Sequence, residues 1–375
     1  MSAALTKSLS LLLLIAIGFL FQRKIKGKDQ REGIRTIILS LALPATILIA
    51  LLQINFKSDL IIIPIMSLGF NIVIYLLVDR LPLQPIFNIP MNQYRTLVML
   101  IPSLAPGLSC FPFIMEYSGQ GSLAMAALAD IGNKIFVLII SYTIAMKWYY
   151  DVNKEGTEKG GIKLKEVLLA LVKEPVNMVI VAALVMLSFG LNYQSFPLTV
   201  TLSIDRLSVL MTPLILLFIG LSMRLTWEQV KTIFSFLFFR SGIAFGISGL
   251  VLCFFPVSDI PTILLIIVFP QSACSFWPYA HMAMVGEMES KLSVKPKDGG
   301  TFDQHFAMNV LACSMPFSAI LIMTIYASGD FFAHIVPVFT CSGVFLLSAA
   351  AIALLSSKFL SDYKPDNLNP SASSG

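Results

Sequence analysis

The chain has 375 residues, of which 57% are apolar and only 13% charged, with a formal net charge of +5. A soluble domain carries roughly 25% charged residues, so a soluble fold is excluded. A membrane β-barrel is excluded too, because the apolar runs are continuous instead of alternating. The basic surplus lies between apolar runs, where membrane topology accounts for it, so nucleic acid is not an expected partner.

Runs this long cross a bilayer as helices, since hydrocarbon offers backbone groups no water to bond. Span one, about 5–22, is followed and not led by its charges Arg23, Lys24, Lys26 and Lys28, and no small-residue cleavage site precedes them. It reads as a retained helix and not a cleaved signal. Span two, about 34–53, carries one mid-span proline, Pro44, within LALPATILIALL. Span three, about 60–78, holds Asn71 in an otherwise apolar run. Asn71 is either a helix–helix hydrogen-bonding residue or part of a coupling site.

Span four, about 95–117, contains Pro102, Pro106 and Pro112, with Gly107 between them. Proline lacks an amide hydrogen and clashes with the carbonyl four residues back, so part of this helix is expected to unwind. Unwound backbone at membrane depth survives only where it is buried or lines a cavity. Ala105, Pro106, Gly107, Ser109, Cys110 and Pro112 are therefore candidate substrate contacts. Free carbonyls and half-helix N-termini in such a break suit cations and anions respectively. The competing reading is an ordinary proline kink.

Span five, about 121–146, carries Asp130, Asn133 and Lys134 in ADIGNK. Asp130 and Lys134 are four apart and share a helix face. Each charge at mid-membrane costs about 2.5–3.5 kcal/mol on insertion scales, so neither should face lipid. The pair is either a coupling or substrate-anion site or a structural ion pair.

Spans six and seven, about 166–191 and 205–223, include Pro213 in LMTPLILLFIGLSM. Span eight, about 231–255, holds Arg240, which either snorkels to the cytoplasmic surface or serves as a counter-charge for an anion. Span nine, about 260–285, contains Pro270, Gln271, Ser272, Cys274, Ser275 and Pro278, a second break and a second set of candidate contacts. His281 and Glu287 beyond it, and Glu116 in span four, are weaker titratable candidates. Spans ten and eleven, about 304–327 and 331–357, precede a polar tail, 361–375, expected to be disordered. The five cysteines fall in apolar runs with no zinc or disulfide spacing, and His305 and His334 form no metal constellation.

With the N-terminus outside, 21 of the 26 basic residues fall in cytoplasmic segments, three (Lys7, Lys57 and Arg206) outside, and two, Lys134 and Arg240, within spans. A missed helix would scramble this alternation, so an external N-terminus and a cytoplasmic C-terminus are expected. Pro44 and Pro213 are 169 residues apart, and Pro106 and Pro270 are 164 apart. Each half thus has a mid-span proline followed by a broken helix. Five spans per half is odd, so the second copy is expected to be inverted. Paired broken helices in matching repeat positions point to a transporter's binding site. The divisions are 1–150 and 151–327 for the two repeats, 328–360 for an additional helix, and 361–375 for the tail. The expected fold is an all-α membrane protein. With neither GxxxxGK[ST] nor HExxH, no enzyme, ATP-driven pump or cofactor is expected.

Several of these stretches resemble the auxin efflux carrier family, including its bacterial permease members. They are LALPATIL in span two, TPLILLFIGLSM in span seven, APGLSCFPFIMEYSGQGSLAMAALADIGNK across spans four and five, FPQ at 269–271, and Pro316 in span ten. The resemblance covers about residues 5–327. It implies ten helices with crossed, broken fourth and ninth members. It also implies a scaffold of spans 1, 2, 6 and 7, a mobile domain of spans 3–5 and 8–10, elevator-type alternating access, organic-anion substrates, and an inner-membrane location. Two departures stand out. Ala105 occupies the position of the family's substrate-contacting asparagine, and Cys110 that of the glycine before Pro112. Span eleven is additional to the ten-helix plan. The expectation is therefore a secondary or facilitative transporter of a small organic anion, a carboxylate, in a lipid bilayer. Coupling to H+ or Na+ and a homodimer remain open. A sodium symporter like the bile-acid carriers and a transporter-like sensor are the alternatives. A sensor has less support, because no loop or tail is long enough for an output domain.

Overall fold

Among the described residues, apolar sequence is mostly helix. The computed structural model describes residues 3–53, 62–81, 84, 89–153, 175–222, 230–255, 257–292 and 300–362, and among them there is no strand. The helices are α1 (Ala3–Phe21), α2 (Lys28–Ile37), α3 (Leu43–Leu52), α4 (Ile62–Arg80), α5 (Met91–Leu100), α6 (Pro106–Ser109), α7 (Phe111–Ile135) and α8 (Ser141–Val152). They continue with α9 (Pro175–Ser188), α10 (Leu198–Val209), α11 (Met211–Ser222), α12 (Val230–Phe254), α13 (Ile260–Val268), α14 (Phe276–Ser290), α15 (Gln304–Ala327) and α16 (Ile335–Asp362). Eight helical stretches among the described residues are long and apolar enough to cross a membrane, and Leu9–Phe21 and Pro175–Ser188 are shorter apolar helices. Large side chains face outward on them, with Leu20 67%, Val181 60% and Val336 75% exposed. A surface of this kind belongs in lipid, and the architecture is that of an all-α membrane protein. The beginning of expected span six, 166–174, and tail residues 363–375 lie outside the described residues. Ser361 and Asp362, expected in the tail, continue α16.

Proline punctuates these helices in three ways. Pro44 does not break span two. A π turn, Ile38–Ala42, precedes it, and Leu43 N–H bonds back to the Ile38 carbonyl, so the widened turn carries the chain past the ring. Before Pro213 the helix is interrupted for a single residue, Leu210, between α10 and α11. Pro316 sits inside α15, which stays continuous. Among the described residues, spans four and nine are the ones that open fully.

One apparent helix of 42 residues, Phe111–Val152, is more than one crossing. Gly119 adopts φ 78°, ψ −171°, which a side chain would oppose. A straight helix would put Asn133 about 33 Å beyond Phe111. Yet the Asn133 amide bonds to Leu104, just before the helix begins. The chain therefore reverses at Gly119, and expected spans four and five form a hairpin.

Close packing fixes the rest. A side chain at Gly132 would collide with the Pro64 carbonyl, so α7 and α4 touch backbone to backbone. Span eleven docks on span eight. A Cβ at Gly242 would lie 2.7 Å from Leu346, and one at Gly249 2.8 Å from Phe339. Ser342 Oγ donates to the Gly242 carbonyl and Ser235 Oγ to the Ala349 carbonyl, both at 2.7 Å.

Candidate functional site

Each broken helix resumes at or near a proline. Pro106 opens α6, Pro112 is the second residue of α7, Pro270 lies in a 3-10 turn, Phe269–Gln271, and Pro278 falls in the first turn of α14. In a first turn the missing amide hydrogen has no helical partner to lose. Residues 101–105 and 272–275 are thereby released from helix, and the two released segments meet.

Their contact is dense. Ala105 N–H donates to the Ala273 carbonyl at 2.8 Å. Ala273 N–H donates to Ser109 Oγ at 2.8 Å, and Ser275 N–H to Ser103 Oγ at 3.0 Å. Cys274 N–H reaches Ser314 Oγ of α15 at 3.3 Å. Arg240 completes the junction. It is 1% exposed and donates from Nε to the Ile101 carbonyl at 2.8 Å, and from Nη2 to the Ser103 and Ser272 carbonyls at 3.2 and 2.6 Å. Arg240 thus binds the broken backbone directly, a role that the choice between snorkelling and substrate counter-charge did not include. Unwound backbone inside a membrane protein leaves carbonyls that need donors, and one guanidinium supplies three of them.

Asn133 does the same from span five. Its Oδ1 accepts from Leu104 N–H at 3.0 Å, and its Nδ2 donates to the Leu104 carbonyl at 2.9 Å. Nδ2 also reaches Asp130 Oδ1 at 2.8 Å, while Asn71 Nδ2 donates to Asn133 Oδ1 at 2.9 Å. Asn71 is thus a helix–helix bonding residue behind the break. The breaks were expected to present free carbonyls and amides; instead the protein itself engages most of them.

The ion pair is formed as the spacing predicts. Lys134 Nζ lies 3.3 Å from Asp130 Oδ2, with both side chains under a tenth exposed. Lys134 also donates to Asn177 Oδ1 of α9 at 3.1 Å, a contact between spans five and six. A π turn, Phe136–Ile140, follows the pair, and His281 Nε2 lies 3.0 Å from the Val137 carbonyl there, a contact that requires the Nε2–H tautomer.

Beside this junction is a cavity of about 470 Å³. Its floor is Leu104, Ala105, Pro106, Gly107, Asp130, Asn133, Lys134, Cys274 and Ser275. Its mouth carries Arg31, Glu32, Arg35, Phe276 and Met308, and Leu43, Val176 and Phe218 form part of the wall. Eight of the seventeen sequence candidates line it; Ser109, Cys110, Pro112, Pro270, Gln271, Ser272, Pro278, Arg240 and Asn71 lie behind the lining. Cys110 is fully buried, its Sγ 3.7 Å from the Val268 carbonyl. Three basic and two acidic side chains line the cavity, a formal net charge of +1.

Sequence reasoning missed Ser103, Ser314 and Asn177, whose roles exist only once distant segments meet. It also missed Arg31 and Arg35, which fall among the basic residues of the topology count, and Glu32 between them. The amphipathic sequence KDQREGIRTI, residues 28–37 leading into span two, was the available signal. No protein-family model matches the chain, and a search of curated proteins finds no match to it either.

Proposed function

We propose that this chain is a secondary or facilitative transporter of a small organic anion, a carboxylate, working by elevator-type alternating access. The observation that carries the reading is the cavity beside two crossing breaks. Its floor holds a buried lysine, its lining bears a net charge of +1, and one wall comes from spans two, six and seven. One carboxylate would neutralise the site. A buried charge is tolerated at membrane depth where it serves such a pathway. With no nucleotide loop in the sequence, uphill movement would draw on an ion gradient or the membrane potential.

An inverted repeat underlies the proposal, and residue roles support it. Pro44 and Pro213, Asn71 and Arg240, and Ser103 and Ser272 are each 169 residues apart. Ser103 and Ser272 each donate Oγ to the carbonyl three residues back at 2.6 Å, and both their carbonyls accept from Arg240. Asn71 and Arg240 each support a break, Asn71 through Asn133 and Arg240 directly. These pairs support a register of 169 for the proposed repeat, beside the 164 that separates Pro106 from Pro270. The resemblance to auxin efflux carriers is in keeping with this plan. Spans one, two, six and seven would be the scaffold and the remainder the mobile domain, with Lys134–Asn177 a bond between them.

The test is flux. Purified full-length protein in proteoliposomes, loaded with a mixture of small mono- and dicarboxylates, is expected to show saturable counterflow of at least one labelled member. Asp130→Asn combined with Lys134→Gln, which strands no buried charge, should lower it at least tenfold while keeping more folded protein than Asp130→Asn alone. Saturable binding with no flux of any member would instead make the chain a receptor.

A further inference from the structure

Two residues at the cavity mouth have chemistry that the transport reading does not use. Arg35 is a half-buried side chain in the last turn of α2, on the proposed scaffold. Its guanidinium carbon stands 4.6 Å from the centroid of the Phe276 ring, the first residue after the second break. Its Nη1 lies 3.2 and 3.4 Å from the two carboxylate oxygens of Glu32, one turn back. One edge of the guanidinium is thus held by a carboxylate and one face by an aromatic ring. Among the described residues, Nε and Nη2 donate to nothing. Three N–H donors remain there, in the parallel pair that matches the two oxygens of a carboxylate.

We propose that Arg35 is the anion-specificity residue of this cavity. Its Nε–Nη2 edge takes a carboxylate side-on, while the Phe276 ring fixes the plane of the fork and Glu32 is the internal anion it displaces. The inference rests on the transporter reading for its cavity, but it concerns binding and is tested as binding. A flat cation stacked on a ring is oriented before the ligand arrives, so little rotamer freedom is lost on binding. Glu32 is largely exposed, its side chain 60% accessible, so its partnership with Arg35 is solvent-screened and gives way to a better-placed anion. Ala105 lines the cavity, and its side chain offers an anionic group no donor. The floor lysine neutralises charge but as a point donor, already shared between Asp130 and Asn177. Arg35 is the lining group with an open bidentate edge.

The experiment measures binding to the detergent-solubilised full chain by titration calorimetry, using benzoate and its neutral isostere benzamide. Wild type is expected to bind benzoate saturably and benzamide at least tenfold more weakly. Arg35→Gln and Arg35→Lys should each weaken benzoate at least tenfold, because lysine keeps the charge but loses the fork. Glu32→Gln should tighten benzoate about twofold or more by removing the internal competitor, and this arm stands even if both Arg35 variants fail to fold. The inference is overturned if Arg35→Lys binds benzoate as wild type does, if Glu32→Gln weakens it, or if wild type binds the two probes equally or not at all. Binding that obeys these rules without any flux in proteoliposomes would leave the inference standing and remove the transport reading alone.

Discussion

Arg240 and Asn133 play one part from two sides. Each is a polar side chain whose partners are the unpaired backbone of a broken helix. Removing Arg240 strips donors from three carbonyls, and an unsatisfied buried acceptor costs roughly 1–3 kcal/mol. Arg240→Ala is therefore expected to lose at least about 3 kcal/mol, read as a collapse of the thermal transition in mild detergent. Arg240→Lys should fall between, since one ammonium cannot span carbonyls from both breaks. Wild-type stability in Arg240→Ala would show that the clamp is dispensable. The Asp130–Lys134 pair makes a different prediction. Both are buried, so breaking the pair from one side strands a charge. Asp130→Asn should give less folded protein than Asp130→Asn combined with Lys134→Gln, by gel-filtration yield; equal yields would mean that the charges are not partners. This pair was legible in the sequence, because spacing of four on a helix is geometry. The role of Arg240 was not, because its partners lie 139, 137 and 32 residues away and are backbone atoms of no particular residue type.

At the scale of elements, the prolines announced which helices break but not how. Pro44 and Pro213 occupy matching places, yet the first is absorbed by a π turn and the second follows a one-residue interruption. Local sequence names the obstacle, and neighbouring helices choose the detour. The hairpin at Gly119 was legible as a span boundary, since the charge alternation required one there. The packing of α16 on α12 was not read, although glycines at 242, 246 and 249 recur at helical spacing, because small residues in a membrane helix do not say which helix they face. A leucine at Gly242 would drive into Leu346, and overpacking of this kind costs about 1–3 kcal/mol. Gly242→Leu should lower the melting temperature and expose the 335–362 helix to protease. Gly343→Leu, with nothing within 4 Å, should do neither. Equal behaviour of the two variants would mean that α16 is not seated by this contact.

Composition alone settled the class of the whole molecule, and continuous apolar runs settled that it is helical. The full count of eleven spans rests on charge alternation and on segments such as 166–174 that lie outside the described residues. The candidate site was legible to the extent that both breaks were, because proline chemistry is local. The cavity itself was not, since it forms where α2, α9 and α11 lean on those breaks. Cavity and topology together yield one prediction. Arg31 and Arg35 stand at the mouth and belong to the first basic segment of the chain, which the charge bias assigns to the cytoplasm. On that topology the cavity would open inward. Cys274 is 5% exposed and lines it, whereas Cys110 has no exposed surface. In a variant retaining only Cys274, a small membrane-impermeant methanethiosulfonate should react in inverted vesicles and spare right-side-out ones, and a bound carboxylate should slow the reaction. A variant retaining only Cys110 should stay unmodified from either side. Reaction of Cys274 from the outer face alone would reverse the orientation, and reaction of Cys110 at a comparable rate would mean that the breaks are open to water and not sealed by Arg240 and Asn133.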